Sequence, residues 1–144
     1  MSDDVIEIET APHPVASIIV LHGLGADGAD FVPICDEMDL RSVGPIRYVF
    51  PSAPHMPVSI NGGYEMRSWY DIIPTPNGGR IEDEAGLRAS QRRIDALIER
   101  EVARGMPTSR IVLMGFSQGC AMTLMAGLRH PAPLAALVGL SGYP

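Results

Sequence analysis

An apolar, β-branched run from Arg110 to Met114 leads directly into Gly115-Phe116-Ser117-Gln118-Gly119, and that pentapeptide leads directly into a second apolar run, Cys120 to Leu128. The first run reads as a buried strand and the second as a buried helix. Only a sharp turn joins the two. Glycine suits both flanking positions, because a side chain at either would crowd the turn. A strand–turn–helix of this kind lifts the Ser117 hydroxyl clear of the sheet. It also places the Gln118 N–H at a helix N-terminus, where negative charge is stabilised. The competing reading is a glycine-rich helix start with Ser117 as an ordinary cap. The strand in front of the motif weighs against it.

The rest of the chain extends the same pattern. Ala16 to Leu21 is a continuous apolar run, as expected of a strand covered on both faces, and Ile46-Arg47-Tyr48-Val49-Phe50 reads as the next strand. Val5 to Ile8 alternates in the manner of a short edge strand. Asp30 is a plausible N-cap with Pro33 in the first turn behind it. Phe31, Ile34, Cys35 and Met38 then follow the spacing of an amphipathic helix. A surface helix is expected from Ile81 to Arg104, with a stripe of Leu87, Ile94, Leu97, Ile98 and Val102, a Glu84–Arg88 pair, and Gly105 and Pro107 at its end. A last strand is expected from Leu134 to Leu140. Between them, Pro51 to Gly79 is long, carries five prolines and reads as irregular, which inside a compact domain usually signals function. Strands alternating with helices imply a mostly parallel sheet with helices on both faces, formed as a single domain over residues 1–144. Ligands in such sheets sit beyond the C-terminal strand ends. That singles out the loop after Leu21 and the turn after Met114.

Composition narrows the classes of function. The 144 residues are 46% hydrophobic and 19% charged, enough apolar content for a core. A net charge of −6 argues against nucleic acid and gives no attraction to an anionic membrane surface. The longest apolar stretches, 119–128 and 132–140, are broken by Arg129-His130-Pro131 and are too short to span a membrane. Met1-Ser2-Asp3-Asp4 is acidic with no apolar segment behind it, so no signal peptide is read there. Two cysteines, Cys35 and Cys120, are too few for a disulfide framework and read as thiols of a reducing, cytoplasmic setting. No metal or cofactor motif is visible. A homodimer is one arrangement the sequence leaves open.

The chemistry centres on Ser117. A serine hydroxyl needs a base to become a nucleophile, and the oxyanion that follows its attack needs two aligned donors. The Gln118 N–H is one. The loop His22-Gly23-Leu24-Gly25-Ala26-Asp27 follows the first parallel strand and supplies the other, best from Leu24.

Four ordered segments carry a resemblance: Leu21-His22-Gly23-Leu24-Gly25-Ala26-Asp27, Ile60-Asn61-Gly62-Gly63-Tyr64-Glu65-Met66, Ser68-Trp69-Tyr70-Asp71 and Gly115-Phe116-Ser117-Gln118-Gly119. Over residues 16 to 143 the chain resembles the carboxylesterase/acyl-protein thioesterase family of α/β hydrolases. The resemblance implies Ser117 as nucleophile and the N–H groups of Leu24 and Gln118 as oxyanion hole. It implies a groove lined by Met66, Trp69 and Tyr70 for the acyl chain of an ester or thioester, and hydrolysis without a cofactor. Exposed surfaces of Met66 and Trp69 are expected in that groove. Cys120 departs from the family, which usually has glycine there.

A triad of this fold runs serine, then carboxylate, then histidine. No Asp or Glu follows Ser117, and the only later histidine is His130, thirteen residues along the helix and about 20 Å away. His130 reads as a polar helix end, His22 as a structural side chain bonding its loop, and His55 and His13 as residues with no evident role. The expectation is an α/β-hydrolase fold lacking its C-terminal strands, with the chain stopping at Ser141-Gly142-Tyr143-Pro144. Two readings of function stand: a serine hydrolase acting on esters or thioesters through an acyl-enzyme, or a non-catalytic binding module on the same sheet.

Overall fold

The structure, a computed structural model, describes residues 4–140. The acidic Met1-Ser2-Asp3 start and the Ser141-Gly142-Tyr143-Pro144 end lie outside the described residues. Five strands form the central sheet: β1 (Val5–Glu9), β2 (Ala16–Leu21), β3 (Ile46–Pro51), β8 (Ile111–Phe116) and β9 (Ala136–Leu140). Their spatial order is β1-β3-β2-β8-β9. Only β1 is antiparallel, running against β3 at the edge; β3, β2, β8 and β9 are parallel neighbours.

The two faces follow from the period-2 geometry of a strand. In β2, Ile19 and Leu21 point to one face, where they join Leu113, Ile111 and residues of two long helices, α2 (Glu84–Ala103) and α3 (Gln118–Arg129). Ile18 and Val20 point to the other, where they meet Tyr48, Phe50 and Met114 under Phe31, Val32 and a short helix α1 (Ile34–Glu37). Helices therefore cover both faces, and β2 is buried on each, as its unbroken apolar run requires.

Several boundaries differ from expectation for physical reasons. The Phe31–Met38 segment is not one amphipathic helix. Asp27, rather than Asp30, starts it: Asp27 and Asp30 accept each other's backbone N–H in a capping box over a 3-10 turn (Gly28–Phe31), and α1 is a single turn after Pro33. The Pro51–Gly79 stretch is not irregular throughout: it holds the hairpin of β4 (His55–Val58) with β5 (Tyr64–Arg67), and it begins a second hairpin whose β6 (Ile72–Pro74) pairs with β7 (Arg80–Glu82) just beyond it. Because Arg80–Glu82 is taken up by β7, α2 starts three residues later than expected. Its cap is Asp83, which accepts from the Gly86 N–H at 3.0 Å. Along α2, Ile94 and Ile98 are buried and the Glu84–Arg88 pair closes at 2.7 Å, but Val102 faces solvent. Gly105, at φ +96°, ends the helix, with the Met106 N–H reaching back to Glu101 O.

At the end of the sheet away from the elbow, Glu101 is fully buried. It accepts from Ser17 Oγ, Arg47 at 2.7 Å and Arg104 at 3.0 Å, while Arg47 also reaches Glu9, and Arg104 also reaches Glu7. The hydrogen bond from Arg104, with the charges of Arg100, Arg104 and Arg47, holds the Glu7 carboxyl below its ordinary range.

Candidate active site

β8 ends at Phe116 and α3 begins at Gln118, leaving Ser117 alone to make the turn. Its backbone sits at φ 57°, ψ −115°, a conformation that costs a side-chain-bearing residue on the order of 1–3 kcal/mol. The Ser117 side chain makes no capping hydrogen bond, which removes the ordinary-cap reading. Its N–H donates to Leu140 O at 2.9 Å, tying the turn to β9. The flanking glycines are sterically required. A Cβ on Gly115 would lie 2.0 Å from Gly119 O, and one on Gly119 would lie 2.1 Å from Leu21 O. The elbow thus presses α3 directly against the C-terminal end of β2.

That contact brings the second loop to the serine. A Cβ on Gly23 would lie 3.4 Å from Ser117 Cβ and 3.3 Å from Phe116 O. The chain after β2 therefore passes beside the elbow. Among the described residues, the N–H groups of Leu24 and Gln118 have no hydrogen-bond partner, whereas the neighbouring Gly25 N–H donates to Arg67 O and the Ala26 N–H to Gly23 O. Gly25 holds φ +80° beside the Met66 sulfur, 3.7 Å from where its Cβ would be.

A buried polar frame fixes these loops; of its members, only His22 reads as structural from the sequence. The Gln118 side chain, 1% exposed, accepts from the Trp69 N–H at 2.8 Å and donates to Tyr70 O at 2.9 Å and Ser68 Oγ at 3.0 Å. Trp69 Nε1 donates to His22 O at 2.8 Å, the carbonyl at the root of the Leu24 loop. His22 Nε2 accepts from the Ala53 N–H at 2.9 Å, which leaves Nδ1 to donate to Gly23 O at 2.7 Å. Arg67 donates to Ala53 O at 2.7 Å. One amide, one imidazole and one indole thereby lock the segments after β2, after β3 and at 66–70 around Ser117. The signal in the sequence is a glutamine between an apolar strand and an apolar helix: such an amide, once buried, must find partners for its oxygen and both its hydrogens.

The expected site residues separate accordingly. Ser117 and the loops bearing Leu24 and Gln118 come together. Met66 is half-buried against the Leu24 loop. The exposed surface expected of Trp69 is absent. Trp69 is 1% exposed and Tyr70 is fully buried, because their backbones are drawn inward by Gln118 and Ser90. His22 is structural, as read: both ring nitrogens are engaged, and burial holds its pKa below the ordinary value, so it stays neutral. His130 caps the far end of α3, where its ring accepts from the Ala132 N–H and lies 3.5 Å from Glu99. No group of three or more potential metal ligands occurs among the described residues, and no helix among them is long and apolar enough to cross a membrane.

A mostly parallel sheet under helices on both faces, with a strained serine between strand and helix and a glycine loop beside it, defines the α/β-hydrolase class. Within that class the chain belongs to the phospholipase/carboxylesterase family, whose model matches residues 2–144. Acyl-protein thioesterase 1 of Yarrowia lipolytica is 42% identical over 129 residues, 89% of this chain and 57% of that protein. Its counterpart in Schizosaccharomyces pombe is 41% identical over 128 residues, covering 89% and 56% respectively. Among solved structures, SOBER1 of Arabidopsis thaliana superposes with a TM-score of 0.79 at 34% identity over 89% of this chain and 61% of that one. The acyl-protein thioesterase 2 of Zea mays gives 0.79 at 27%, over 96% and 62%. The chain thus spans little more than half the length of the curated relatives it matches.

Proposed function

We propose that this chain is the nucleophile-bearing part of a serine hydrolase that cleaves carboxylic esters or thioesters. In this reading Ser117 Oγ attacks the acyl carbon, the Leu24 and Gln118 N–H groups receive the oxyanion, and an acyl-enzyme forms on Ser117 and is released by water. The observation that carries the reading is the Ser117 backbone. Strain of this size at a serine without a capping hydrogen bond supports a hydroxyl presented for chemistry, with the Leu24 and Gln118 N–H groups, unpartnered among the described residues, as its oxyanion donors. Thioesterase relatives favour an acyl thioester or ester as substrate. Met66 flanks the acyl chain, while Trp69 and Tyr70 shape its groove from behind through the backbone they anchor. Residues 1–144 act as one domain, need no metal or cofactor, and with two free thiols suit the cytoplasm. Neither nucleic acid nor a membrane span enters the reaction, and a homodimer is compatible with it.

The reading requires a histidine and a carboxylate beyond these 144 residues, because His22 is fully engaged and His130 sits at the opposite end of α3. With them in place, hydrolysis of p-nitrophenyl butyrate is expected, and Ser117→Ala abolishes it. The 144-residue chain by itself is expected to turn over little or none. Robust turnover that survives Ser117→Ala in the complete protein would refute the assignment. Robust Ser117-dependent turnover from the 144 residues alone would move the base to an upstream histidine.

A further inference from the structure

Behind Trp69, on the side of α2 and β1, lies a cavity of about 320 Å³ that the proposed reaction does not use. Its walls include Val5, Pro51, Trp69, Ile94 and Leu97. Two guanidinium groups also face it: Arg93 and Arg100, seven residues apart on the same face of α2. They are not equivalent. Arg100 is matched by Glu7. Among the described residues, Arg93 has no carboxylate within ion-pair distance; it donates to Ser52 O at 3.0 Å and lies over the Trp69 ring at 5.8 Å. Asp4, whose charge acts on it, makes its ion pair with Arg67 at 3.7 Å. A guanidinium has five donors, and among the described residues Arg93 spends one of them, on Ser52 O. Burial also weakens its hold on the proton. A partly desolvated, unmatched cation set among aliphatic and aromatic walls is complementary to a single anionic head with an apolar tail.

We propose that this cavity binds a carboxylate bearing a short aliphatic tail. The planar fork of Arg93 suits a two-oxygen head, the tail lies along the half-buried Val5 and Leu97 with Trp69 and Ile94 packed beneath, and the space holds on the order of ten non-hydrogen atoms. Octanoate has that size. The site is separate from Ser117, and the proposal does not depend on the reaction there. The two regions share Trp69, whose indole N–H holds His22 O at the root of the Leu24 loop.

Trp69 is the chain's only tryptophan, so its emission reports the site directly. Octanoate is titrated into the protein, with binding followed by Trp69 emission and by calorimetry. Saturable 1:1 binding is expected, with octan-1-ol and acetate each at least tenfold weaker, since one lacks the head and the other the tail. Arg93→Met is expected to weaken octanoate binding roughly ten- to hundredfold, and Ser117→Ala to leave it unchanged. Should Arg93→Met fail to fold, Leu97→Phe decides the matter: it fills the cavity, keeps Arg93 and is expected to weaken binding at least tenfold. The proposal is overturned by the absence of saturable binding at millimolar octanoate, by octanol binding as tightly as octanoate, by unaltered binding in a folded Arg93→Met or in Leu97→Phe, or by loss of binding in Ser117→Ala.

Discussion

Replacing Gln118 with methionine keeps the length and burial of the side chain and removes its hydrogen bonds. Three partners are affected. The Trp69 N–H loses its acceptor at 2.8 Å and, being buried, becomes an orphan donor. Tyr70 O loses a donor at 2.9 Å but keeps Ser68 Oγ. Ser68 Oγ loses a donor at 3.0 Å but still donates to Tyr70 O. One fully orphaned buried donor costs about 1–3 kcal/mol, and each acceptor left with another partner adds less. The expected destabilisation is therefore about 2–4 kcal/mol, a fall in Tm of roughly 6–12 °C for a chain of this size. Urea denaturation followed by Trp69 emission measures it. The same spectrum should shift red in the folded variant, because the Trp69 backbone is no longer drawn inward. A loss below about 0.5 kcal/mol, with an unshifted spectrum, would show that the frame does not depend on Gln118.

Other substitutions test the elbow and its surroundings. Ser117→Gly removes the strain at φ 57° and should raise stability by about 1 kcal/mol in denaturant titration, after the entropic cost of the glycine; a destabilised variant would mean the turn is not strained. Gly119→Ala drives a methyl into Leu21 O, at 2.1 Å, and should cost about 3 kcal/mol or more; wild-type thermal stability would show that α3 can back away from β2. His22 is neutral and buried, with a folded-state pKa below its ordinary 6.5. The unfolded chain therefore takes up this proton first as the pH falls. The stability His22 contributes is complete above about pH 6.5 and is lost below it, by up to about 1.4 kcal/mol per pH unit. Denaturation midpoints at pH 7.5 and 5.5 that agree would contradict the buried neutral imidazole.

What the sequence made legible follows from what its patterns encode. β2 and β8 are short, largely apolar runs because both faces of the sheet are covered, and β3 is the same apart from Arg47, whose charge is met by Glu101 and Glu9. The elbow was readable because its glycines answer a local steric demand. The hairpins between Pro51 and Glu82 were not: β4 to β7 are three or four residues long, mostly exposed, and include Pro57 and Pro74, so they carry neither alternation nor length. The end of the Phe31–Met38 helix was misread for a related reason, since the apolar spacing persists while a capping box and Pro33 divide the backbone. Trp69 was misjudged because nothing near it in sequence determines its burial. Its partners Gln118 and His22 lie 49 and 47 residues away.

That distance has a kinetic meaning. The frame around Ser117 closes loops of 31, 47, 49 and 50 residues at once, through Ala53–His22, Trp69–His22, Trp69–Gln118 and Gln118–Ser68. Contacts of such long range form only after the segments they join have been docked by the sheet, so the frame belongs on the native side of the folding barrier. Changes to it should then speed unfolding far more than they slow folding. During synthesis α3 follows every other part of the frame. The Leu24 loop therefore acquires its final shape only when the last of these helices arrives. Until then His22 and Trp69 are an imidazole and an indole with no reason to face each other.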